Sequence, residues 1–144
     1  WNALPALYSH YGSRGIVLMT ILQSWSQGVD VWGQSGMRKL WSASNIKMYG
    51  GVVSEVEFLN ELSQLIGDHE VERASISSDR QSGRSVSWQV DTERTMDVAA
   101  LGAMPPGRAV VIASGTPPTL VETVPWMSGP MKEAVIASLE RYEP

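Results

Sequence analysis

Gly15-Ile16-Val17-Leu18-Met19-Thr20-Ile21-Leu22-Gln23 is the stretch on which the fold turns. Residues 16–22 are almost unbroken apolar and partly β-branched, with glycines shortly before them. That pattern predicts a strand covered on both faces, as in a parallel sheet. A buried helix is the competing reading, against which the short run and the flanking glycines both count. Seven residues are also too few to span a bilayer, which takes roughly 20.

Working outward, residues 3–11 carry Leu4, Leu7, Tyr8 and Tyr11 at helical spacing, and Gly12 with Gly15 closes that helix. After the strand, residues 23–33 predict a short helix and turn, and residues 35–43 a second helix bearing Met37, Leu40 and Trp41. A short strand follows at 46–49, stopped by Gly50-Gly51. The plainest helix comes next: Ser54 and Glu57 form a capping box, Leu59, Leu62, Leu65 and Ile66 make one apolar face, and Gly67 ends it. Residues 71–76 and 86–90 alternate as exposed strands around a polar stretch at 77–85, which predicts a hairpin with a longer loop.

A short helix at 96–101, a buried strand at 109–113 and a segment at 120–124 able to pair with it come after. Pro130 suits the first turn of a last helix reaching about Tyr142. Strands alternating with helices make an α/β sheet with a small antiparallel appendage.

Composition narrows the function classes. The 144 residues suffice for one domain with a real core. An apolar fraction of 43% with mixed charge describes a globular chain. The formal net charge of −4 comes with no concentrated basic stripe, so if DNA is a substrate, this stretch is not its main phosphate-gripping surface. Cysteine is absent, which excludes disulfides and thiolate metal sites. No signal peptide opens the chain, and its start at Trp1 reads as a fragment or excised domain.

The most suggestive polar residue is Gln23, at the carboxyl end of the predicted buried strand, where open α/β sheets place their ligands. Its amide can touch a phosphate oxygen and a water at once. The bland alternative is a polar residue that starts the next helix. His10 and His69 are far apart and read as surface residues; Ser24 and Ser26 lack a nucleophile elbow. Glu70 and Glu72 share a strand face, and an exposed edge explains them better than a catalytic carboxylate pair. Trp25, Trp32 and Trp41 read as packing between short helices and sheet. Arg80 and Arg84 in the hairpin loop could meet DNA or a neighbouring subunit, or be solvated.

Longer blocks add to this reading. Residues 15–27, Gly-Ile-Val-Leu-Met-Thr-Ile-Leu-Gln-Ser-Trp-Ser-Gln, resemble the "G-I-x-hydrophobic…-L-Q-S-x-x-Q" segment of the TraG/TraD-type coupling proteins of conjugative type IV secretion. Trp32-Gly33 is similar to the family's "Y/W-G" after the next helix, and residues 45–51 to the following core strand ending in glycine. Residues 62–73 resemble "L-S-x-x-L-G-x-x-x-V", and residues 104–112 resemble "L-P-P-G-x-A-L-V-L". These blocks, in order, cover most of the chain.

The resemblance implies the C-terminal part of a RecA-like P-loop NTPase domain: a mainly parallel sheet flanked by helices, residues 1–144 as one domain, a hairpin inserted at about 70–92. It implies a homo-hexameric ATP-driven motor with ATP and Mg²⁺ bound mainly by upstream residues. Its partners would be DNA with relaxase and relaxosome proteins and the type IV secretion channel components. It would work at the cytoplasmic face of the bacterial inner membrane, with a membrane anchor upstream. Gln23 would sense the nucleotide's terminal phosphate. Two departures stand out. Walker A and an acidic Walker B pair are absent, so the chain alone is expected to be inactive. Many relatives carry an arginine where this chain has Gly12; here Arg14, directly before Gly15, is the candidate for a trans-acting arginine. The rivals are a non-enzymatic interaction module of the same fold and a related translocase for chromosomal DNA.

Overall fold

One helix organises the described structure. A computed structural model describes residues 1–79 and 83–142, those from 76 to 85 by backbone alone. Val56–Ile66 is helical, and its four-residue spacing of Phe58, Leu62 and Ile66, with Leu59 between, turns an apolar stripe inward. The helix stops at Gly67, whose φ of 89° lies in the left-handed region that a side chain disfavours. Leu59 and Leu62 are buried in a cluster with Tyr49, Leu101, Met104 and Val110.

That cluster is closed by a small sheet. In chain order the elements are α1 (Leu4–Ser13), α2 (Trp25–Ala43), β1 (Ile46–Tyr49), α3 (Val56–Ile66), β2 (Asp68–Asp79), β3 (Gly83–Arg94), α4 (Val98–Gly102), β4 (Arg108–Ala113), β5 (Thr119–Glu122), a 3₁₀ turn (Trp126–Ser128) and α5 (Lys132–Tyr142). β1, β4 and β5 form a three-stranded sheet in the order β1-β4-β5. Tyr49 lies opposite Val110 and its hydroxyl donates to the Leu101 carbonyl at 3.2 Å, tying the sheet to α4. Ser63, the buried polar residue of α3, donates to the Met96 carbonyl at 2.6 Å, so its burial leaves no polar group unmet. Asp97 caps α4 by accepting from the Ala100 N–H at 2.7 Å.

Most expected elements are present within a few residues of their expected bounds. The helix–turn–helix expected from residue 23 to 43 is one hydrogen-bonded element broken at Gly33, whose φ of 68° and ψ of 168° are not helical. The hairpin is longer than expected, with twelve residues in each strand and Asp68 opposite Arg94. Residues 77–79 and 83–85 extend the ladder, because polar residues such as Ser77, Ser78 and Ser85 are as compatible with pairing as with a turn. Arg80 lies outside the described residues, as does the side chain of Arg84.

Two expectations differ from the structure. First, the mix of helices and strands is as expected, but every strand pairing among the described residues is antiparallel, and none of them bears on the mainly parallel sheet expected. The segment 16–22 has no strand pairing among the described residues. Its exposure nevertheless alternates as in a strand: Leu18, Thr20 and Leu22 are half-buried, while Val17, Met19 and Ile21 are 91, 84 and 83% exposed. Second, the capping box of Ser54 and Glu57 does not form; the cap position of α3 is Glu55, and no side chain caps it.

The core position of Leu62, 1% exposed, makes a direct prediction. Leu62→Ala leaves a cavity between α3 and the sheet and costs about 2–5 kcal/mol. Chemical denaturation of the purified chain measures it. A loss below about 1 kcal/mol would mean that α3 does not organise the core.

Candidate functional site

Gln23 stands where the apolar segment turns into α2. Leu22 immediately before it packs onto Gly28 in the first turn of the helix: a Cβ on Gly28 would lie 3.1 Å from Leu22 Cδ1 and 2.4 Å from Met37 Sδ. Only a hydrogen at residue 28 lets the segment come this close. Ser24 then caps the helix in extended backbone, φ −152°, its hydroxyl accepting from the Gln27 N–H at 3.2 Å. The Gln23 side chain is exposed, and its Oε1 accepts from Gln27 Nε2 at 3.4 Å. It is thus held near the helix start with its own amide nitrogen free to meet a ligand among the described contacts.

The remaining orphan amides of α2 are met from elsewhere in the chain. Trp25 N–H donates to Glu55 Oε2 at 2.8 Å, and Ser26 N–H donates to Oε1 at 2.9 Å. A carboxylate clasping two amides at a helix N-terminus is favoured by charge-assisted bonding and by the helix dipole. Partial burial would raise the carboxyl's pKa, but the bonds from Ser26, through its hydroxyl and its amide, and from the Trp25 amide outweigh it and hold the group below the usual glutamate range.

Aromatic packing fixes the same corner. Trp25 stacks on Phe58 with centroids 5.5 Å apart and an interplanar angle of 25°, and Trp41 meets both edge-on at 5.7 and 5.6 Å. Phe58 also meets Tyr49 at 6.1 Å, so the corner is continuous with the core. Lys47 lies 5.4 Å from the Trp41 ring and donates to the Ser44 carbonyl at 2.6 Å; burial depresses its pKa. Beside the corner, Trp25, Asp30, Arg38, Glu55 and Glu61 line an open groove of about 620 Å³. Trp41 therefore packs against the core and the Lys47 end of β1 as the sequence suggests, whereas Trp25 packs α2 against α3. Trp32 instead donates from Nε1 to the Trp1 carbonyl at 3.0 Å, joining α2 to the start of the chain.

Arg14 is placed apart from this corner. It follows the last turn of α1, exposed, with its N–H on the Tyr11 carbonyl at 3.1 Å and no ion pair among the described residues. No hydrogen bond joins it to Gln23. The strand-like segment between them is steadied by Tyr8, whose hydroxyl donates to the Leu18 carbonyl at 3.3 Å. His10 and His69 are exposed, as are Glu70 and Glu72. No group of three or more His, Asp or Glu residues that could hold a metal ion occurs among the described residues. The residue that sequence reasoning missed is Glu55. Its neighbours Ser54 and Glu57 matched a capping pattern, and nothing local marks a carboxylate as serving a helix thirty residues earlier.

Comparison with known proteins gives a consistent picture. The family described as "TraM recognition site of TraD and TraG" matches residues 1–106. Among solved structures, the chain is similar to the bacterial conjugative coupling protein TrwB lacking its N-terminal 70 residues, unbound, at 26% identity and a TM-score of 0.64 over 84% of this chain. It is similar at 25% identity and a TM-score of 0.62, again over 84% of this chain, to the plasmid coupling protein TrwB in complex with the non-hydrolysable GTP analogue GDPNP. TrwB with ADP and Mg²⁺, at 24% identity, a TM-score of 0.61 and the same coverage of this chain, shares the fold. The chain spans only 28, 27 and 26% of those three solved chains. No curated protein sequence matches significantly.

The Glu55 clasp has a measurable signature. Glu55→Gln, which keeps the shape but loses the charge, costs about 1 kcal/mol at neutral pH, as for loss of a helix cap. Because the folded-state pKa is depressed, that stabilisation is complete above the ordinary glutamate value of about 4.3 and is lost as pH falls through the lower folded value. Denaturation midpoints of the two proteins should therefore converge in acid and separate near neutrality. A constant gap across that range would refute the clasp.

Proposed function

The chain belongs to the family of the TraM recognition site of TraD and TraG, and from that premise we propose that it is part of the motor domain of a conjugative coupling protein. In this reading the longer protein is a homo-hexameric, ATP-driven translocase at the cytoplasmic face of the bacterial inner membrane. It links DNA with its relaxase and relaxosome proteins to the type IV secretion channel. Recognition of a relaxosome protein of the TraM kind falls to this part of the molecule.

The observation that carries the motor reading is the alternating exposure of residues 16–22. One face is half-buried on this chain, while Val17, Met19 and Ile21 present an apolar row to solvent. Soluble domains rarely leave such a strand-like row uncovered. Partner strands from the rest of a longer protein would bury it as an inner strand of the RecA-like parallel sheet expected from the sequence. Gln23 would then stand at the carboxyl edge of that sheet, where nucleotides bind. The coupling protein TrwB, of the same fold, has been solved both with a nucleotide analogue and with ADP and Mg²⁺, which suits this placement.

In that setting ATP supplies the phosphoryl group, and the residues that grip its phosphates and Mg²⁺ belong to the upstream chain. What this chain contributes is the Gln23 amide, orienting water or touching the terminal phosphate, and α2, which carries the turn's position into the aromatic corner. Arg14 is proposed as the cation offered to the neighbouring subunit's nucleotide, consistent with its exposure and lack of a partner among the described residues.

Two substitutions in the full-length protein test the reading. Gln23→Ala keeps nucleotide affinity within about twofold and lowers ATP turnover about tenfold or more, as for a group acting only on the reacting phosphate. Unchanged turnover ends the sensor role, whereas a full-length protein with no ATP turnover at all favours a non-enzymatic interaction module. Val17→Lys, at a position 91% exposed here, destabilises the full-length protein by about 2 kcal/mol or more if that side chain is covered by an adjoining sheet. A neutral thermal melt would rule out the inner-strand placement.

A further inference from the structure

Glu55 sits in a segment whose backbone is unusual. Between β1 and α3, Gly51 has φ 84° and Val52 has φ 65°, the described non-glycine residue with positive φ. A β-branched side chain in that region is strained, and such strain persists only where surrounding contacts enforce it. Two contacts are visible. Gly51 lies against Met104, so that a Cβ added to the glycine would stand 3.4 Å from the Met104 carbonyl oxygen and from Met104 Cε. At the other end of the segment, the Glu55 carboxylate holds the amides of Trp25 and Ser26 at 2.8 and 2.9 Å. The strained loop is thus stretched between the turn before β4 and the turn that carries Gln23.

Within its own segment and helix, the Gln23 turn is held by the packing of Leu22 onto Gly28 and by the Ser24 cap. Gln23 is exposed, its contact with Gln27 is long at 3.4 Å, and the segment before it has no sheet partner among the described residues. Ser24 fixes the helix start from within, but the register of that start against the core comes from outside the helix. It is set by Glu55 and by the Trp25–Phe58 stack, whose two partners lie next to the clasp and three residues beyond it. Movement of the carboxylate by about one ångström would move the residues flanking Gln23 by a similar amount, and misplacements of that size cost large factors in rate when a group must meet a reacting atom.

We infer that Glu55 is a positioning residue for the Gln23 turn, fixing it to the strained β1–α3 loop so that Gln23 meets the terminal phosphate in register. The inference rests on the sensor reading of Gln23. It separates two roles that a glutamate beside a groove could have: each Glu55 oxygen already accepts from one of the two amides, and the proposed role needs no contact with nucleotide. Its effect on turnover therefore passes through Gln23 alone. The same arrangement makes the loop a mechanical neighbour of the nucleotide site, because a shift of Gln23 on hydrolysis pulls on Glu55 before it reaches the core.

The test uses the full-length protein with Glu55→Gln, Glu55→Asp, Gln23→Ala and the Glu55→Gln/Gln23→Ala double variant. Turnover is measured at saturating ATP and normalised to sites titrated by a nucleotide analogue. Amide exchange is followed for the peptide spanning residues 23–28. Expected are a roughly tenfold or greater fall in kcat for Glu55→Gln with KM for ATP unchanged. Exchange at the Trp25 and Ser26 amides should rise about tenfold. Glu55→Asp should recover part of both losses, and the double variant should be no slower than Gln23→Ala alone. Additive losses in the double variant, or full turnover in Glu55→Gln while Gln23→Ala is slow, would overturn the positioning role and leave the sensor reading intact. A fast Gln23→Ala protein would remove the sensor reading and this inference with it, whatever the exchange data show.

Discussion

The Phe58 ring is the contact on which the described arrangement depends. It stacks on Trp25 from α2, meets Trp41 from the far end of the same helix and touches Tyr49 of β1. Without it, the α1–α2 pair and the α3–sheet core would share little beyond the Glu55 clasp. Aromatic rings suit this task because one side chain can bury a large area while keeping only two torsions to order. Phe58 is the single phenylalanine of the chain, and its position on the first turn of α3 puts it three residues from Glu55. The apolar contact and the charged clasp therefore act on the same turn of α2, one fixing its distance from the core and the other its register.

Around that joint the molecule divides into surfaces with different prospects. The core of Leu59, Leu62, Leu101 and Val110 is complete within the chain. The row Val17, Met19 and Ile21 is not, and neither is the hairpin face on which Val86, Trp88 and Val90 alternate, 49, 70 and 58% exposed. A two-stranded ribbon is marginal by itself in water. Here Arg73 pairs across the strands with Asp91 and Glu93, and Arg94 with Asp68, which favours the observed register while adding little stability at such exposed sites. The two uncovered rows differ in kind: one is a continuous apolar segment built for burial on both faces, the other an alternating strand with one apolar and one polar face.

Much of the architecture was legible before any coordinates. Helices α1 and α3, strands β1 and β4, the break at Gly33 and the stop at Gly67 all follow from local signals, namely periodicity and glycine placement. These signals work because they depend on the backbone within a few residues. The sheet's direction was not legible in the same way. Residues 109–113 read as a buried strand, which is correct, but whether β1 and β5 run parallel or antiparallel to it depends on where the chain returns, and no residue type encodes that. The site was half legible. Gln23 could be singled out from its position after an apolar run, and Trp25 and Trp41 from their bulk. Glu55 could not, because Ser54 and Glu57 matched a local cap while its actual partners lay thirty residues away.

The sequence by itself determined most of the helices and strands, which faces are apolar and that the chain resembles coupling proteins of the TraG/TraD type, since these are properties of residues near one another or of residue order. Only the tertiary structure decided that the amides of Trp25 and Ser26 are held by Glu55, that Phe58 joins two helices, and that residues 16–22 have no strand partner among the described residues and one face open. The reason is physical. A helix start needs acceptors for its orphan amides but does not specify which residue supplies them, and a buried strand needs neighbours but does not name them. Both choices are made by the packing of distant segments.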